Sequence, residues 1–341
     1  MKNFRRLMGA ALALMGIGHS IQNADANDRI VIQQFPGAFA NASSVIAAEK
    51  GFCEKVHIEC VIKFISTGPL GVQALVGKSI DAAFSATEVF VSAIAAGVKI
   101  KIVYGGKSNV SYALLARNDL VLPHLGEGYP SFMKDLKNKK IGVASRGSGT
   151  ELYLLSLLAN AGLSTKDVTI VPVGGPATGY TALVVAKQVD ALVIFSPVKQ
   201  ICEAEQTCRV LLDNDGDLSR WPKELQAMIG ATGSIAMRTD FIEANSELVD
   251  RFISALSEST RWIKDPANRD EFERLMRKHI SVGDFPHADE IAKRTIRDEL
   301  EDMGDGKTSR PALVATTKFL LENGQIQSPP AVSALIYDKA P

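Results

Sequence analysis

A chain of 341 residues, 46% of them hydrophobic, is longer than one core usually serves, so two lobes are expected. Its 38 Lys+Arg balance 38 Asp+Glu. That balance excludes the basic excess by which proteins hold nucleic acid or an anionic membrane surface.

The first 26 residues read as an export signal. Lys2, Arg5 and Arg6 form a basic start, residues 7–18 an apolar run, and Ala24-Asp25-Ala26 the small-x-small pattern of a signal-peptidase site. An apolar run of about 12 residues is too short for a bilayer span, which takes about 20. No cysteine precedes Cys53, so a lipid anchor has no acceptor, and no later segment is apolar enough to span. The mature chain is expected to begin near Asn27, in the periplasm, with 35 Lys+Arg against 37 Asp+Glu.

From there the pattern alternates. Residues 29–34 (RIVIQQ) predict a strand broken by Phe35-Pro36-Gly37, and residues 41–50 a helix with Asn41 or Ser43 as N-cap and Gly51 as its stop. Strands follow at 58–65, 80–84 and 100–104, with helices at 71–76 and 88–96 between them. Strands alternating with helices of about ten residues predict βαβ units on a parallel sheet. Residues 111–117 read as an extended crossing segment, followed by a polar Gly/Pro loop and a helix at 132–137. A second set then runs through strands at 140–144, 168–173, 191–195 and 208–212, with helices at 150–161, 179–187 and from 197. Residues 234–237 are extended again, and helices near 246–264, 268–279, 288–302 and 312–323 complete the pattern. Two crossings imply an α/β chain in which one lobe (27–113 with 235–341) carries a second (114–234) inserted through two hinge strands.

The four cysteines form two local couples, Cys53/Cys60 and Cys202/Cys208. In an oxidising compartment these read as two disulfides. The spacing does not suit zinc, which takes C-x₂₋₄-C and usually histidines. No metal or other cofactor is expected.

The ordered phrases AAEKGF, ALVGKSIDAAFS, AIAAGVKIKIVYG, MKDLKNKKIGV, LLANAGLSTKDVTIVPV, VAKQVDALVIFSP and TDFIEANSELVDRFISALSESTRWI resemble a known family. They are similar to the periplasmic solute-binding proteins of nitrate/sulfonate/taurine and thiamine-precursor ABC importers. The cysteine-rich signature of pyrimidine-synthesising relatives is absent. The resemblance implies a monomeric two-lobed clamp of the type II periplasmic-binding-protein class, a small organic ligand between the lobes and an ABC permease as partner. Gly77 stands at a helix end and Asp81 at a strand start, a structural role.

In open parallel sheets ligands sit beyond the carboxyl ends of strands, where helix N-termini present free N–H groups. The loops to inspect are 35–39, 66–68 and 85–87 in the first set and 145–150, 174–178 and 195–197 in the second. They nominate Phe35, Phe39, Thr67, Gly68, Ser85, Thr87, Ser145, Arg146, Ser148, Gly149, Thr150, Gly175, Thr178 and Phe195 as ligand contacts, with Tyr112 on the first crossing. The richest loop is ASRGSGTEL: Ser148 or Thr150 can cap the helix while Gly147 and Gly149 N–H groups and Arg146 meet an acceptor. The string lacks the third glycine of G-x-G-x-x-G and the Lys-Ser/Thr ending of a P-loop. Glu88 reads as an acidic helix start in preference to a contact for a cationic ligand.

Catalysis has little to stand on. His57, His124, His279 and His287 fall in no metal spacing, no G-x-S-x-G elbow occurs, and the strand-end loops contain no histidine. The reading is therefore capture by hinge closure, with an organic anion such as a sulfonate or aromatic carboxylate expected first and a neutral heterocycle second. Delivery to a sensor kinase, or a periplasmic enzyme, are the alternatives.

Overall fold

The structure, a computed structural model, describes residues 28–110, 112–213 and 221–341. The expected export signal and Ser111 lie outside the described residues. The first set of elements comprises β1 (Asp28–Gln34), α1 (Ala42–Glu49), β2 (Ile58–Phe64), α2 (Gly68–Val76), β3 (Ala82–Ala86), α3 (Thr87–Ala95) and β4 (Ile100–Lys107). The second comprises β5 (Tyr112–Arg117), β6 (Lys140–Val143), α4 (Gly149–Asn160), β7 (Thr169–Pro172), α5 (Pro176–Tyr180), β8 (Ala191–Phe195), α6 (Val198–Glu205), β9 (Cys208–Leu212) and α7 (Lys223–Ala227). The chain then returns through β10 (Gly233–Arg238), α8 (Thr239–Ala244), α9 (Ser246–Lys264), α10 (Arg269–Met276), α11 (Ala288–Glu301), β11 (Met303–Gly306), α12 (Arg310–Glu322) and α13 (Val332–Leu335).

These strands make two sheets, ordered β11-β4-β10-β3-β1-β2 and β7-β6-β8-β5-β9. β1 runs parallel to β2 and β3, and β6 parallel to β7 and β8, as crossover helices require. The two crossing strands run against their sheets. β5 is antiparallel to β8 and β9, and β10 to β3 and β4. The connectors beside these strands are tied together: Gly230 N–H donates to Ser108 O at 2.6 Å, and Thr232 Oγ1 to Asn109 O at 2.6 Å.

Packing follows the apolar stripes. α9 buries Leu248, Val249, Phe252, Ile253, Leu256 and Ile263, and α1, buried along most of its length, lies against it. Tyr104 is fully buried on β4 and donates to Leu256 O at 3.1 Å and Thr260 Oγ1 at 2.8 Å, which fixes α9 on the larger sheet. Asp81 acts structurally. Its Oδ2 accepts from Val31 N–H at 2.9 Å and its own N–H donates to Val31 O at 2.8 Å, joining the chain before β3 to β1. Both disulfides are formed, Cys53–Cys60 at the start of β2 and Cys202–Cys208 between α6 and β9.

Several local expectations change. α2 begins at Gly68 because Thr67 Oγ1 accepts from Leu70 N–H and Pro69 suits a first turn. Asn41 stands at the α1 N-cap without a side-chain cap bond, since its Nδ2 donates to Gln33 O instead. The helix expected at 132–137 is a 3-10 segment, Ser131–Leu136, and α5 begins at Pro176 and continues as a π-helix over Thr181–Val185. β11 carries the sequence MGDG, which has no strand-like alternation.

Candidate functional site

One cleft opens at the carboxyl ends of β1, β3, β6 and β8 and takes lining from strands of both sheets. It encloses about 920 Å³ of empty space, part of it open solvent. The larger sheet contributes Phe35 beyond β1, Ser85 and Ala86 of β3, and Lys107 at the end of β4. Thr67, Gly68 and Glu88 arrive from the starts of α2 and α3. The smaller sheet contributes Tyr112 of β5, Ala144 beyond β6, Ser148, Gly149 and Thr150 at the start of α4, and Phe195 of β8. The return of the chain adds Met228, Thr232, Glu299 and Phe319.

Side chains behind this wall set its shape. Gln34 Oε1 accepts from Asn41 N–H at 3.0 Å, and Gln34 Nε2 donates to Ala38 O at 2.9 Å, pinning the turn that carries Phe35 and Phe39. Gln33 Nε2 donates to Thr67 O at 3.0 Å and Ile65 O at 3.2 Å, which holds the start of α2. Phe35 meets Phe84 edge-on at 5.8 Å between centroids and Phe195 of the other sheet at 5.6 Å. These rings form an apolar wall suited to a ring or alkyl group.

At the start of α4 the hydroxyls serve the backbone. Ser148 Oγ donates to Ser145 O at 2.6 Å and caps α4 by accepting from Glu151 N–H, while Thr150 Oγ1 accepts from Ala144 N–H at 2.9 Å. The anion site expected here is occupied by the chain itself. Gly147 N–H donates to Glu151 Oε2, and Arg146 pairs with Glu151 Oε1 at 2.9 Å. A carboxylate in the first turn thus answers the helix dipole.

The two sides of the cleft approach closely at Gly149. A Cβ there would lie 2.2 Å from Tyr112 OH, 2.7 Å from Ala86 Cβ and 2.8 Å from Glu88 Oε1, so only glycine fits. Glu88 is buried in the first turn of α3, where the N-terminal dipole favours an acid. Burial nevertheless raises its pKa from 4.5 to about 7, with a bond from its own backbone opposing the rise. Tyr112 is pushed well above the usual phenol range, first by burial and then by Glu88 and Glu299. At the other end Lys107 pairs with Glu299, both largely buried, and Lys107 Nζ lies 5.9 Å from the centroid of the Phe39 ring. Two buried polar atoms on the cleft wall, Glu88 Oε2 and Tyr153 OH, have no hydrogen-bond partner among the described residues.

Of the sequence-nominated residues, the structure places Phe35, Phe39, Thr67, Gly68, Ser85, Tyr112, Ser148, Gly149, Thr150 and Phe195 on this cleft. Five stand elsewhere. Thr87 is buried against β10, its Oγ1 2.7 Å from Ser234 Oγ. Ser145 and Arg146 lie outside the lining, Arg146 because it turns to Glu151. Gly175 and Thr178 also lie away, with Thr178 Oγ1 donating to Gly175 O at 3.0 Å within the turn. Lys107 and Glu299 are not legible in the sequence as site residues, and Glu88 reads there as a helix start in preference to a cation contact. An acidic first turn hides Glu88, the predicted strand stops at 104 before Lys107, and Glu299 comes from a distant helix.

The sequence profile of the NMT1-like family matches residues 35–276. A protein of Brucella abortus named as a binding protein is 30% identical over 216 residues; the match covers 63% of this chain and 61% of that protein's length. The alkanesulfonate-binding protein SsuA from Xanthomonas axonopodis pv. citri, solved with MOPS bound, superposes with a TM-score of 0.69 at 20% identity, covering 92% of this chain and 98% of that one. A Candida albicans gene product with the generic periplasmic binding protein fold superposes with a TM-score of 0.68 at 14% identity, covering 89% and 92%. At these identities the structural likeness establishes the fold: two α/β units with a cleft between them.

Proposed function

The chain belongs to the NMT1-like family, and from that premise we propose that it is the periplasmic substrate-binding component of an ABC importer, capturing a small organic molecule by hinge closure. One observation carries this reading. A largely apolar cleft takes its walls from both sheets, and the chain passes between those sheets only through two adjacent, hydrogen-bonded connectors. Such connectors can flex while each sheet keeps its own strand pairing. The lobes then divide at these connectors, close to the 113/114 and 234/235 boundaries expected from the sequence but with β5 and β10 each kept whole.

Phe35, Phe84 and Phe195 support a ligand with a ring or alkyl body. A sulfonate or aromatic carboxylate would meet Lys107, whose charge Glu299 already answers. The similarity to proteins named as binding proteins supports capture without conversion. No helix of the described residues is long and apolar enough to cross a membrane, and a permease is the partner this reading requires.

The test is a thermal-shift screen of organic amines, anions and heterocycles, followed by mass spectrometry of each recovered compound. A true ligand at 100 times its Kd stabilises by about 2.7 kcal/mol and returns chemically unchanged. Conversion of the compound, or no shift across the whole screen, would overturn the proposal.

A further inference from the structure

We propose that the cleft selects an organic base, a ring or alkyl body carrying an N–H donor, and that Glu88 is the residue that holds this nitrogen. The inference rests on the reading of the cleft as a ligand clamp and names the chemistry of its guest.

Glu88 is 5% exposed yet lies on the cleft wall, and its Oε2 has no donor among the described residues. A buried carboxyl oxygen without a donor, in a side chain that lines a cavity, is a vacant acceptor that a small shift of the wall would open to a guest, and acceptors of this kind are rarely left unmatched in the working state. Its Oε1 lies beside Gly149 and the Tyr112 hydroxyl, so the side chain is held at the seam where both halves meet. A guest bonded to Oε2 would therefore be gripped at the point of closure. The Tyr153 hydroxyl, also on the wall and without a partner, offers a second polar contact.

Charge argues the same way. Among the described residues the ionisable side chains lining the cleft, tyrosines apart, are Glu88, Glu299 and Lys107, two acids against one base. Lys107 is committed to Glu299, and Arg146 to Glu151 outside the cleft. An anion entering here would face an excess of negative charge, whereas a protonated or N–H-bearing nitrogen would complete it. The remaining wall, with Phe35, Phe84 and Phe195, covers the apolar body.

Calorimetric titration of the mature chain at pH 8 with matched probes tests this: benzylamine and 2-aminopyridine against benzoate and benzenesulfonate. The expected result is preferential binding of the nitrogen bases, weakened at least tenfold in Glu88→Gln. The wild-type preference is itself a test should that variant fail to fold. Preference for the anions, unchanged amine affinity in folded Glu88→Gln, or binding of neither series would each overturn the assignment. Closure around benzoate or benzenesulfonate, seen by scattering, would leave the clamp standing while removing its basic guest.

Discussion

Glu88 makes a measurable prediction even without a ligand. Its folded pKa, about 7, lies above the ordinary 4.5, because burial disfavours the charged form. Between those values the folded protein keeps a proton that the unfolded chain releases. Stability from this group therefore falls as pH rises from about 4.5 to 7 and levels off above. Tyr112, Glu299 and Lys107 share the cleft, and Tyr112 feels both acids, so the charged form gains little local relief. Glu88→Gln removes the penalty. Urea denaturation is expected to show it more stable than wild type by up to about 3 kcal/mol at pH 8, with the gain absent at pH 4. A constant difference across pH would refute this account of Glu88. A second residue-scale prediction concerns Gly149, where a Cβ has no room against Tyr112, Ala86 and Glu88. Gly149→Val is expected to hold the halves apart and weaken ligand affinity at least tenfold, with far-UV circular dichroism unchanged.

At the scale of elements, α9 and α4 show what packing and caps contribute. Phe252 is fully buried in α9, so Phe252→Ala should cost about 3–5 kcal/mol, read as a lower urea midpoint. Ser148 caps α4 from the cleft wall, and Ser148→Ala should cost about 1 kcal/mol of stability. Most elements were legible because helices such as α9 carry clear apolar periodicity and strands such as β8 are short apolar runs. The cleft aromatics were legible for a related reason. Phe35 and Phe195 sit at strand ends, and a parallel sheet sends its loops to one edge. The polar half was not. The α4 loop read as an anion site because local sequence shows available donors, whereas only the fold shows that Glu151 takes Gly147 N–H and Arg146. Lys107 and Glu299 meet across 192 positions, a distance that no local pattern spans.

For the whole molecule, the contacts between halves set how easily it opens. α11, which leads into β11 of the larger sheet, meets α6 of the second set through Arg294–Glu203 at 2.7 Å and His287–Glu205 at 3.1 Å. Gln200 Nε2 adds a bond to Asp298 at 3.2 Å, and Phe35 touches Phe195 across the cleft. A partly exposed ion pair such as Arg294–Glu203 contributes about 0.2–1 kcal/mol, too little by itself to lock the cleft shut. Driving a clamp from 1:99 to 99:1 closed takes about 5.5 kcal/mol of ligand preference, within reach of a charge-assisted bond plus ring burial. Small-angle scattering of residues 27–341, with and without a saturating compound from the thermal screen, tests this most directly. The account predicts a smaller radius of gyration in the liganded protein. An unchanged radius with the compound demonstrably bound would contradict hinge closure.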